Sequence, residues 1–355
     1  MMPTHPYERI LVVKLSAIGD IIHTLPAVAA LRRAYPKAWL AWLVERAGAE
    51  LLRGNQDLDE IVVIDTQAWR ANWRVGFRHA WYSTRHLRRA RFDLCIDFQG
   101  LLKSALFTFF SGAPLRLGFP RPLCREPLSA LFTNLKGPQS DSEVHIVDQQ
   151  VGLLQALGIQ TPERHFPIPI TEADERFATR VWRELGFSPD IPIVVLNPGA
   201  AWATKRWGEE NFAHLSDALV RRYRAKTLLT WGPGEETRMR RVAQAMSYRA
   251  AIAPPTTLLQ LAALLSRCTV FVGGDTGPLH LAAAVGTPTV ALFGPSNPRR
   301  NGPYGPGHVV LHRRLPCSDC YQRTCDHWEC LPALEVESVL QAVGGLLDKA
   351  SMRKE

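Results

Sequence analysis

Short apolar runs that alternate with amphipathic stretches constrain the fold of this chain more than any other feature of its sequence. The first run, Ile10–Val13, is too short for a helix, and a helical pattern follows it over Pro26–Tyr35. The alternation continues through the N-terminal half, where the strand-like runs are Ile10–Val13, Trp39–Val44, Ile61–Ile64 and Leu94–Asp97. A strand, helix, strand repeat of this kind predicts a parallel sheet covered by helices on both faces.

The same pattern starts again in the C-terminal half. Its predicted strands are Ile193–Asn197, Thr227–Thr230, Val270–Gly273 and Thr289–Phe293, and its predicted helices are Phe212–Arg222, Glu236–Met246 and Thr257–Ser266. Because 355 residues exceed what one hydrophobic core usually organises, we expect two α/β domains, each with a doubly wound parallel sheet.

The boundary between these domains is predicted in the stretch HFPIPITEADERF, where Pro167 and Pro169 interrupt local order. The two domains then span residues 1–170 and 171–335. An amphipathic pattern beginning at Val336 predicts a C-terminal helix and tail over 336–355, which is free to pack on either domain.

An excess of basic residues predicts an anionic partner. The 42 Lys and Arg against 33 Asp and Glu give a net charge of +9, which suits nucleic acid, an acidic membrane surface or a phosphorylated substrate. No recognisable nucleic-acid module accompanies this charge. Because the sequence has no run of about 18 apolar residues and no signal-peptide pattern, we expect a cytoplasmic, soluble protein.

One segment, residues 69–91, interleaves tryptophan with arginine: WRANWRVGFRHAWYSTRHLRRAR. Two interpretations stay open. The segment is a solvated helix with aromatic anchors, or it is a surface that grips anionic or membrane-embedded material.

A glycine-rich stretch at the end of a predicted strand indicates an anion site. In GGDTGPLH, Gly273–His280, small residues lead into an apolar helix, and the backbone amides of a helix N-terminus attract a phosphate. Thr276 adds a hydroxyl, and His280 lies one turn into the helix. A tight turn with Asp275 as its cap is the simpler alternative, but capping alone does not require this pattern.

Two further loops follow predicted strands of the same domain. LNPGAAWATKRW supplies Thr204 and Lys205, and TWGPGEETRM supplies Glu235 and Glu236. A lysine suits a diphosphate leaving group, and an acid suits ribose hydroxyls, although solvation of the lysine and helix capping by the acids are alternatives. Since ligands of such sheets bind outside the carboxyl ends of the strands, the three loops predict one crevice for a nucleotide diphosphate.

The stretch KLSAIGDIIHTLPAV places an acid, Asp20, between the first strand and its helix. Asp20 is either the N-cap of a helix beginning at Ile21 or a carboxylate that accepts a proton from an attacking hydroxyl. The phosphate-binding loops of the second domain favour the catalytic interpretation.

Four of the seven cysteines lie close together near the C-terminus. Cys317, Cys320, Cys325 and Cys330 follow the spacing C-x2-C-x4-C-x4-C, with His327 between the last two. This set suggests a structural zinc or iron site, with reduced thiols or a redox-sensitive loop as the alternatives. The other three cysteines are expected to be buried thiols.

Three motifs of the chain resemble those of the ADP-heptose:lipopolysaccharide heptosyltransferases, glycosyltransferase family 9. In order, they are KLSAIGDIIHTLPAV, FDLCIDFQGLLKSAL and GGDTGPLHLAAAVGTPTVALFGPSNPRRNGPYG, and the similarity extends over nearly the whole chain. The segments QGLLKSAL and REPLSALF, Arg125–Phe132, are most similar to heptosyltransferase I, which adds the first heptose to Kdo of the lipid A core.

The resemblance implies a GT-B fold, in which two Rossmann-like domains face a central cleft, with the acceptor on the N-terminal domain and the nucleotide sugar on the C-terminal one. It implies no cofactor for catalysis. Residue by residue, it implies these roles: Asp20 as general base, Lys205 on the donor diphosphate, Asp275, Thr276, Gly277 and His280 in the donor site, Glu235 or Glu236 near the adenosine, and Lys14 and Ser16 as polar residues of the cleft.

The mechanism implied by the family is an inverting transfer from ADP-heptose to Kdo-lipid A. Lys103, Arg121 and Arg125, together with the segment 69–91, would orient that anionic acceptor and hold the enzyme on the cytoplasmic face of the inner membrane. Three alternatives stay open: transfer to a later core heptose, as by heptosyltransferase II or III; a nucleotide-sugar epimerase of the same fold; and a non-catalytic binding protein.

Overall fold

A computed structural model describes residues 7–66, 73–141, 143–188 and 190–352 of the chain, and residues 73–81 by their backbone alone. The chain divides into two compact units, Met1–Pro169 and Ile170–Glu355. Among the described residues, no helix is both long and apolar enough to cross a bilayer.

The first unit is built on a six-stranded parallel sheet. In chain order its strands are β1 (Arg9–Val13), β2 (Trp39–Glu45), β3 (Glu60–Ile64), β4 (Leu94–Asp97), β5 (Leu115–Gly118) and β6 (Leu135–Lys136), and their order in the sheet is β3-β2-β1-β4-β5-β6. Its helices are α1 (Ile18–Ala34), α2 (Arg46–Leu52), α3 (Trp73–Ala90), α4 (Leu102–Phe110) and α5 (Ile146–Leu153). Short 3-10 helices span Arg121–Leu123, Pro127–Phe132 and Leu154–Leu157.

The second unit repeats this plan. Its strands are β7 (Ile193–Asn197), β8 (Lys226–Leu229), β9 (Ala251–Ile252), β10 (Val270–Gly274), β11 (Thr289–Phe293) and β12 (Val309–His312), in the sheet order β12-β11-β10-β7-β8-β9, again all parallel. Its helices are α6 (Glu172–Glu184), α7 (Glu209–Tyr223), α8 (Glu236–Gln244), α9 (Leu258–Leu265), α10 (Gly277–Ala284), α11 (Pro298–Asn301) and α12 (Val336–Met352). A 3-10 helix spans Ala203–Lys205.

Fully buried central strands explain why the sequence shows continuous apolar runs rather than alternation. Every residue of β7, β10 and β11 is buried, as expected for parallel strands that helices cover on both faces. The C-terminal helix α12 packs on α7 and on the second sheet, with Val339, Val343 and Leu347 in the core of that unit. It therefore belongs to the second unit, which settles the alternative that the sequence left open.

At the centre of each sheet, successive strands stop being added on one side and begin to be added on the other. In the first sheet the chain builds outward from β1 to β3 and then returns to place β4 on the other side of β1. In the second, β7 and β10 are neighbours, with β8 beyond β7 and β11 beyond β10. The loops that leave the two central strands therefore diverge, and such a position binds ligands in open α/β sheets.

Candidate active site

The three loops of the second unit that the sequence singled out leave neighbouring strands. Asn197 at the end of β7 is in register with Gly273 of β10, and Leu196 of β7 is in register with Leu229 of β8. The Asn197 side-chain amide also donates to the Thr230 carbonyl at 3.1 Å, which fixes the ends of β7 and β8 together. The predicted convergence of these loops is a property of the sheet register.

A buried carboxylate, Asp275, is the centre of the site. One oxygen, Oδ2, accepts from Lys205 Nζ at 2.5 Å and from the Ser296 hydroxyl at 2.6 Å, while Oδ1 faces His280 Nε2 at 3.1 Å. The side chains of Asp275 and Lys205 are only 9% and 15% exposed. Four polar groups from three loops and one helix are thus joined in one network.

This network keeps Asp275 ionised. Burial alone raises the pKa of Asp275, but the hydrogen bond from His280 and the charge of Lys205 outweigh it and hold the pKa well below its usual range. The carboxylate therefore stays negative at neutral pH and orients the Lys205 ammonium. Lys205 also donates to the Asp275 carbonyl at 3.2 Å, so two of its three N–H groups are directed at one residue.

The backbone of Lys205 lies unusually close to the backbone of Gly274. A Cβ atom at Gly274 would lie 2.6 Å from the Lys205 carbonyl oxygen, so only glycine permits the 3-10 helix Ala203–Lys205 to lie against the end of β10. The Lys205 Nζ lies 4.5 Å from the centroid of the Trp202 ring, which is the distance of a cation–π contact. Thr204 is buried, and its hydroxyl donates to the Gln322 carbonyl at 2.7 Å.

The N-terminus of α10 offers fewer amides than the sequence suggested. Leu279 and His280 both donate their N–H groups to the Thr276 carbonyl, and Pro278 has no N–H. Within the described part of the chain, the amides of Thr276 and Gly277 have no acceptor. These two amides, beside Lys205, form the part of the helix terminus that can bind an anion.

The two acids after β8 have different surroundings. The Glu235 carboxylate accepts from the Gly232 amide at 3.0 Å and lies against Gly199 of the β7 loop, where a Cβ atom would overlap it at 2.1 Å. Glu236 instead pairs with Arg240 on the surface of α8 at 2.6 Å. Glu235 is therefore the acid at the carboxyl ends of the strands.

In the first unit, Asp20 lies within the first turn of α1. The helix begins at Ile18, and Asp20 Oδ2 accepts from the Ala17 amide at 3.0 Å. The prediction that Asp20 is the N-cap of a helix beginning at Ile21 is therefore wrong. The carboxylate nevertheless accepts a hydrogen bond from the backbone amide of Ala17, the residue that precedes the helix. Its second oxygen, Oδ1, has no hydrogen-bond partner among the described residues.

The loop that leads to Asp20 is fixed by the side chain of Gln99, which follows β4, a neighbour of β1 in the sheet. Gln99 Oε1 accepts from the Leu15 amide at 2.9 Å, and Gln99 Nε2 donates to the Ser16 carbonyl at 2.7 Å. Lys14 is buried, and its Nζ donates to the Phe98 carbonyl at 2.8 Å. The pairing of Val13 with Asp97 brings both segments to the same end of the sheet.

Asp97 supports this arrangement from inside the unit. It accepts from the Gln99 amide at 2.8 Å, from the Gly100 amide at 3.2 Å and from the Ser104 hydroxyl at 3.0 Å. Burial raises the pKa of Asp97, and these three hydrogen bonds oppose the shift. The carboxylate shapes the turn that presents Gln99 to the loop before α1.

The predicted acceptor-binding cations differ in their contacts. Lys103 forms an ion pair with Glu45, so its charge is already balanced. Arg121 and Arg125 are exposed, and their side chains have no hydrogen-bond or ion-pair partner among the described residues. Of the arginine-rich segment 69–91, residues 69–72 and the side chains of 73–81 lie outside the described residues, and Arg88 donates to the Phe110 carbonyl at 3.2 Å.

The structure does not gather the four C-terminal cysteines into a metal site. Cys317, Cys320 and Cys325 are exposed free thiols, and burial raises the pKa of Cys330, which keeps that thiol protonated. In the part of the chain that the structure describes, no group of three or more His, Cys, Asp or Glu side chains could hold a metal ion. The residues present do not fit the predicted zinc or iron.

Sequence reasoning missed Gln99, Asp97, Ser296 and Trp202. Ser296 occurs in FGPSNP, which carried no expectation of its own, and its partner Asp275 lies 21 positions earlier. Two signals could have found Gln99 and Ser296: both lie in motifs of the family resemblance, and both follow the ends of strands, where side chains meet across a parallel sheet.

Comparisons with known proteins show the family to which the chain is similar. The family model of glycosyltransferase family 9 (heptosyltransferase) matches residues 81–330. Lipopolysaccharide heptosyltransferase 1 of Pseudomonas aeruginosa is 33% identical over 323 residues, which cover 90% of this chain and 88% of that protein.

Solved structures show the same architecture. The family 9 glycosyltransferase of Veillonella parvula is 25% identical with a TM-score of 0.84, covering 97% of this chain and 98% of that one. E. coli heptosyltransferase WaaC, solved with ADP, is 26% identical with a TM-score of 0.77, covering 95% and 99%. These likenesses confirm the predicted GT-B class. The chain is a glycosyltransferase and belongs to glycosyltransferase family 9, the heptosyltransferase family.

Proposed function

We propose that this enzyme transfers L-glycero-D-manno-heptose from ADP-heptose to Kdo of the lipopolysaccharide inner core, with inversion at the anomeric carbon. The observation that carries the proposal is the Lys205–Asp275–His280 network beside the free amides of Thr276 and Gly277. The heptosyltransferase 1 relatives and the WaaC structures with ADP and with ADP-2-deoxy-2-fluoro heptose support this donor.

On the donor side, the diphosphate would bind the third N–H of Lys205 and the amides at the start of α10. As the sugar–phosphate bond breaks, negative charge develops on the ADP oxygen, and these preorganised donors stabilise it. Glu235, rather than Glu236, would accept from the ribose hydroxyls, because its carboxylate lies at the strand ends. Thr204 would contribute by holding this loop rather than by touching the donor.

On the acceptor side, Asp20 Oδ1 would take the proton of the acceptor hydroxyl. The hydroxyl oxygen then attacks the anomeric carbon from the face opposite the diphosphate, the new glycosidic bond forms, and ADP leaves with the electron pair of the broken bond. Gln99 fixes the loop through Leu15 and Ser16 that positions Asp20. Arg121 and Arg125 are the cations available to the carboxylate of Kdo or to lipid phosphates.

We further propose that the protein works at the surface of the inner membrane, on the cytoplasmic face. Helix α4 and the 3-10 helix Pro127–Phe132 expose an apolar patch, which consists of Leu102, Leu106, Phe109, Phe110, Leu128 and Leu131. Leu128 and Leu131 are 55% and 80% exposed. Because Arg121 and Arg125 lie on the adjacent chain segment, apolar contact and positive charge are combined, as binding to an anionic lipid surface requires.

The deciding experiment is ADP release from ADP-heptose, with and without Kdo-lipid A, by the wild type and by Asp20→Asn. We expect release that depends on the acceptor and falls by a factor of about 100 or more in the variant, because a general base is lost. Asp141→Asn, a change of an exposed loop carboxylate, is the matched control and should keep full activity.

Other outcomes identify other functions. Conversion of the nucleotide sugar without an acceptor would indicate the epimerase. Activity only on a core that already carries heptose would indicate the second or third heptosyltransferase. Full activity of Asp20→Asn would remove Asp20 from the mechanism while leaving the transferase in place.

A further inference from the structure

The cysteine-containing loop, residues 317–330, lies against the donor-side site. The Gln322 carbonyl accepts from the Thr204 hydroxyl, and the Tyr321 amide donates to the Pro295 carbonyl at 2.9 Å. The Tyr321 hydroxyl also accepts from Asn301 Nδ2 at 3.1 Å. Residues 321 and 322 therefore bridge the segment that carries Lys205 and the segment that carries Ser296.

This bridge places a second cation near Lys205. The next residue, Arg323, has its guanidinium carbon 5.2 Å from the centroid of the Trp202 ring, and Lys205 Nζ is 4.5 Å from the same centroid. Tryptophan is the aromatic side chain that holds cations best. One ring thus carries two positive groups that come from loops more than a hundred positions apart in the sequence.

The two cations differ in their charge balance. Lys205 is paired with Asp275, whereas Arg323 is exposed and no described carboxylate pairs with it. An arginine held in place by a ring, with its five N–H donors directed to no acid, is an open site for an oxyanion. Two like charges at one ring also repel each other, and a bound anion would relieve that repulsion.

We infer that Arg323 binds the diphosphate of the donor, as a second cationic ligand beside Lys205. The inference rests on the proposed function and adds a residue from the cysteine-containing loop to the donor site. The planar guanidinium can bind two phosphate oxygens at once, which the ammonium of Lys205 cannot do in the same fixed geometry. The loop therefore has a role that requires no metal in it.

The test compares ADP with adenosine, which has no phosphate, in calorimetric titrations of the full chain. We expect Arg323→Ala to weaken ADP binding about tenfold and to leave adenosine binding unchanged, because hydrogen bonds to a charged group are lost. The ADP affinity of Arg323→Lys should lie between that of the wild type and that of Arg323→Ala. Arg314→Ala is the matched control, since Arg314 is an exposed arginine without a described partner just before the loop, and it should bind ADP as the wild type does.

Equal ADP affinity of wild type and Arg323→Ala would overturn the inference. So would a parallel loss of ADP and adenosine affinity, because it would show that the side chain only supports the fold of the loop. A wild type that binds no ADP would overturn the proposed donor and this inference together, which distinguishes the two failures.

Discussion

Asp275 shows how single residues set the properties of the donor side. Its carboxylate is hydrogen-bonded to Lys205, Ser296 and His280. The contacts with Lys205 and His280 lower the pKa of Asp275 in the folded state. Its ordinary pKa is 3.8, so between that value and the lower folded value the unfolded chain binds more protons than the folded one. The stability that Asp275 contributes is therefore complete above pH 3.8 and is lost as the pH falls through this window.

This sign leads to a prediction for Asp275→Asn. At neutral pH the variant should be less stable by about 3 kcal/mol, because Lys205 keeps a largely buried charge without its partner. The difference from wild type should stay constant between pH 7 and 5 and shrink below pH 3.8. Urea unfolding followed by circular dichroism at several pH values measures it, with Asp141→Asn as control. A difference that does not change down to pH 3 would contradict the argument.

Residue identities could be predicted from the sequence only where a motif marked them. Lys205, Asp275 and His280 were expected in one site, and the structure brings them together. Gln99 and Ser296 lie in motifs of the family resemblance, but their roles could not be predicted, because their hydrogen-bond partners are 84 and 21 positions away and such a bond depends on strand order rather than on local pattern. The prediction of a metal site at the four cysteines is wrong for a related reason. Spacing in the sequence does not determine whether the thiols lie close enough together to bind one ion, and in the described part of the chain they do not.

At the scale of elements, the strands at and around the centre of each sheet were predictable, whereas β5, β6, β9 and β12, which have four residues or fewer, were not. The eight predicted runs correspond to β1–β4, β7, β8, β10 and β11, whereas β6 and β9 have two residues each and leave no pattern to detect. Helix α1 begins at Ile18 rather than near Pro26, and Pro26 lies inside it. An internal proline costs a backbone hydrogen bond, and burial of residues along α1, including Ile22 and Val28, offsets that cost.

The apolar patch on α4 and the 3-10 helix Pro127–Phe132 leads to a prediction for membrane binding. In co-sedimentation with anionic phospholipid vesicles, Arg121→Gln combined with Arg125→Gln should lower the partition coefficient about thirtyfold, at about 1 kcal/mol for each lost cation. Leu128→Ser combined with Leu131→Ser should also weaken binding, because less apolar surface enters the bilayer interface.

The control removes exposed apolar side chains from the other unit, by Tyr248→Ser combined with Met352→Ser. It should bind vesicles as the wild type does. If neither the double arginine variant nor the double leucine variant changed vesicle binding, the membrane contact would lie elsewhere on the protein. Self-association of the wild type that only the Leu128 and Leu131 changes abolish would instead identify the patch as a contact between two copies of the chain.

At the scale of the whole molecule, the two units repeat one plan with different chemistry. The proposed acceptor-side residues lie in Met1–Pro169, and the proposed donor-side residues lie in Ile170–Glu355. Each unit has its own buried core, and the second is closed by α12, which returns to pack on α7 and on the sheet. Units of this size commonly fold on their own.

We therefore predict that residues 170–355 fold without the first unit and bind ADP. The fragment contains the complete sheet β7–β12, the Lys205–Asp275 pair, Glu235 and Arg323, so every proposed contact to ADP is present. A cooperative thermal transition followed by circular dichroism, and an ADP affinity equal to that of the full chain by calorimetry, are the expected results. The matched control is the fragment carrying Lys205→Met, which should fold and bind ADP weakly. A folded fragment without affinity for ADP would mean that the first unit contributes directly to the donor site, since the donor-side residues alone would then be insufficient.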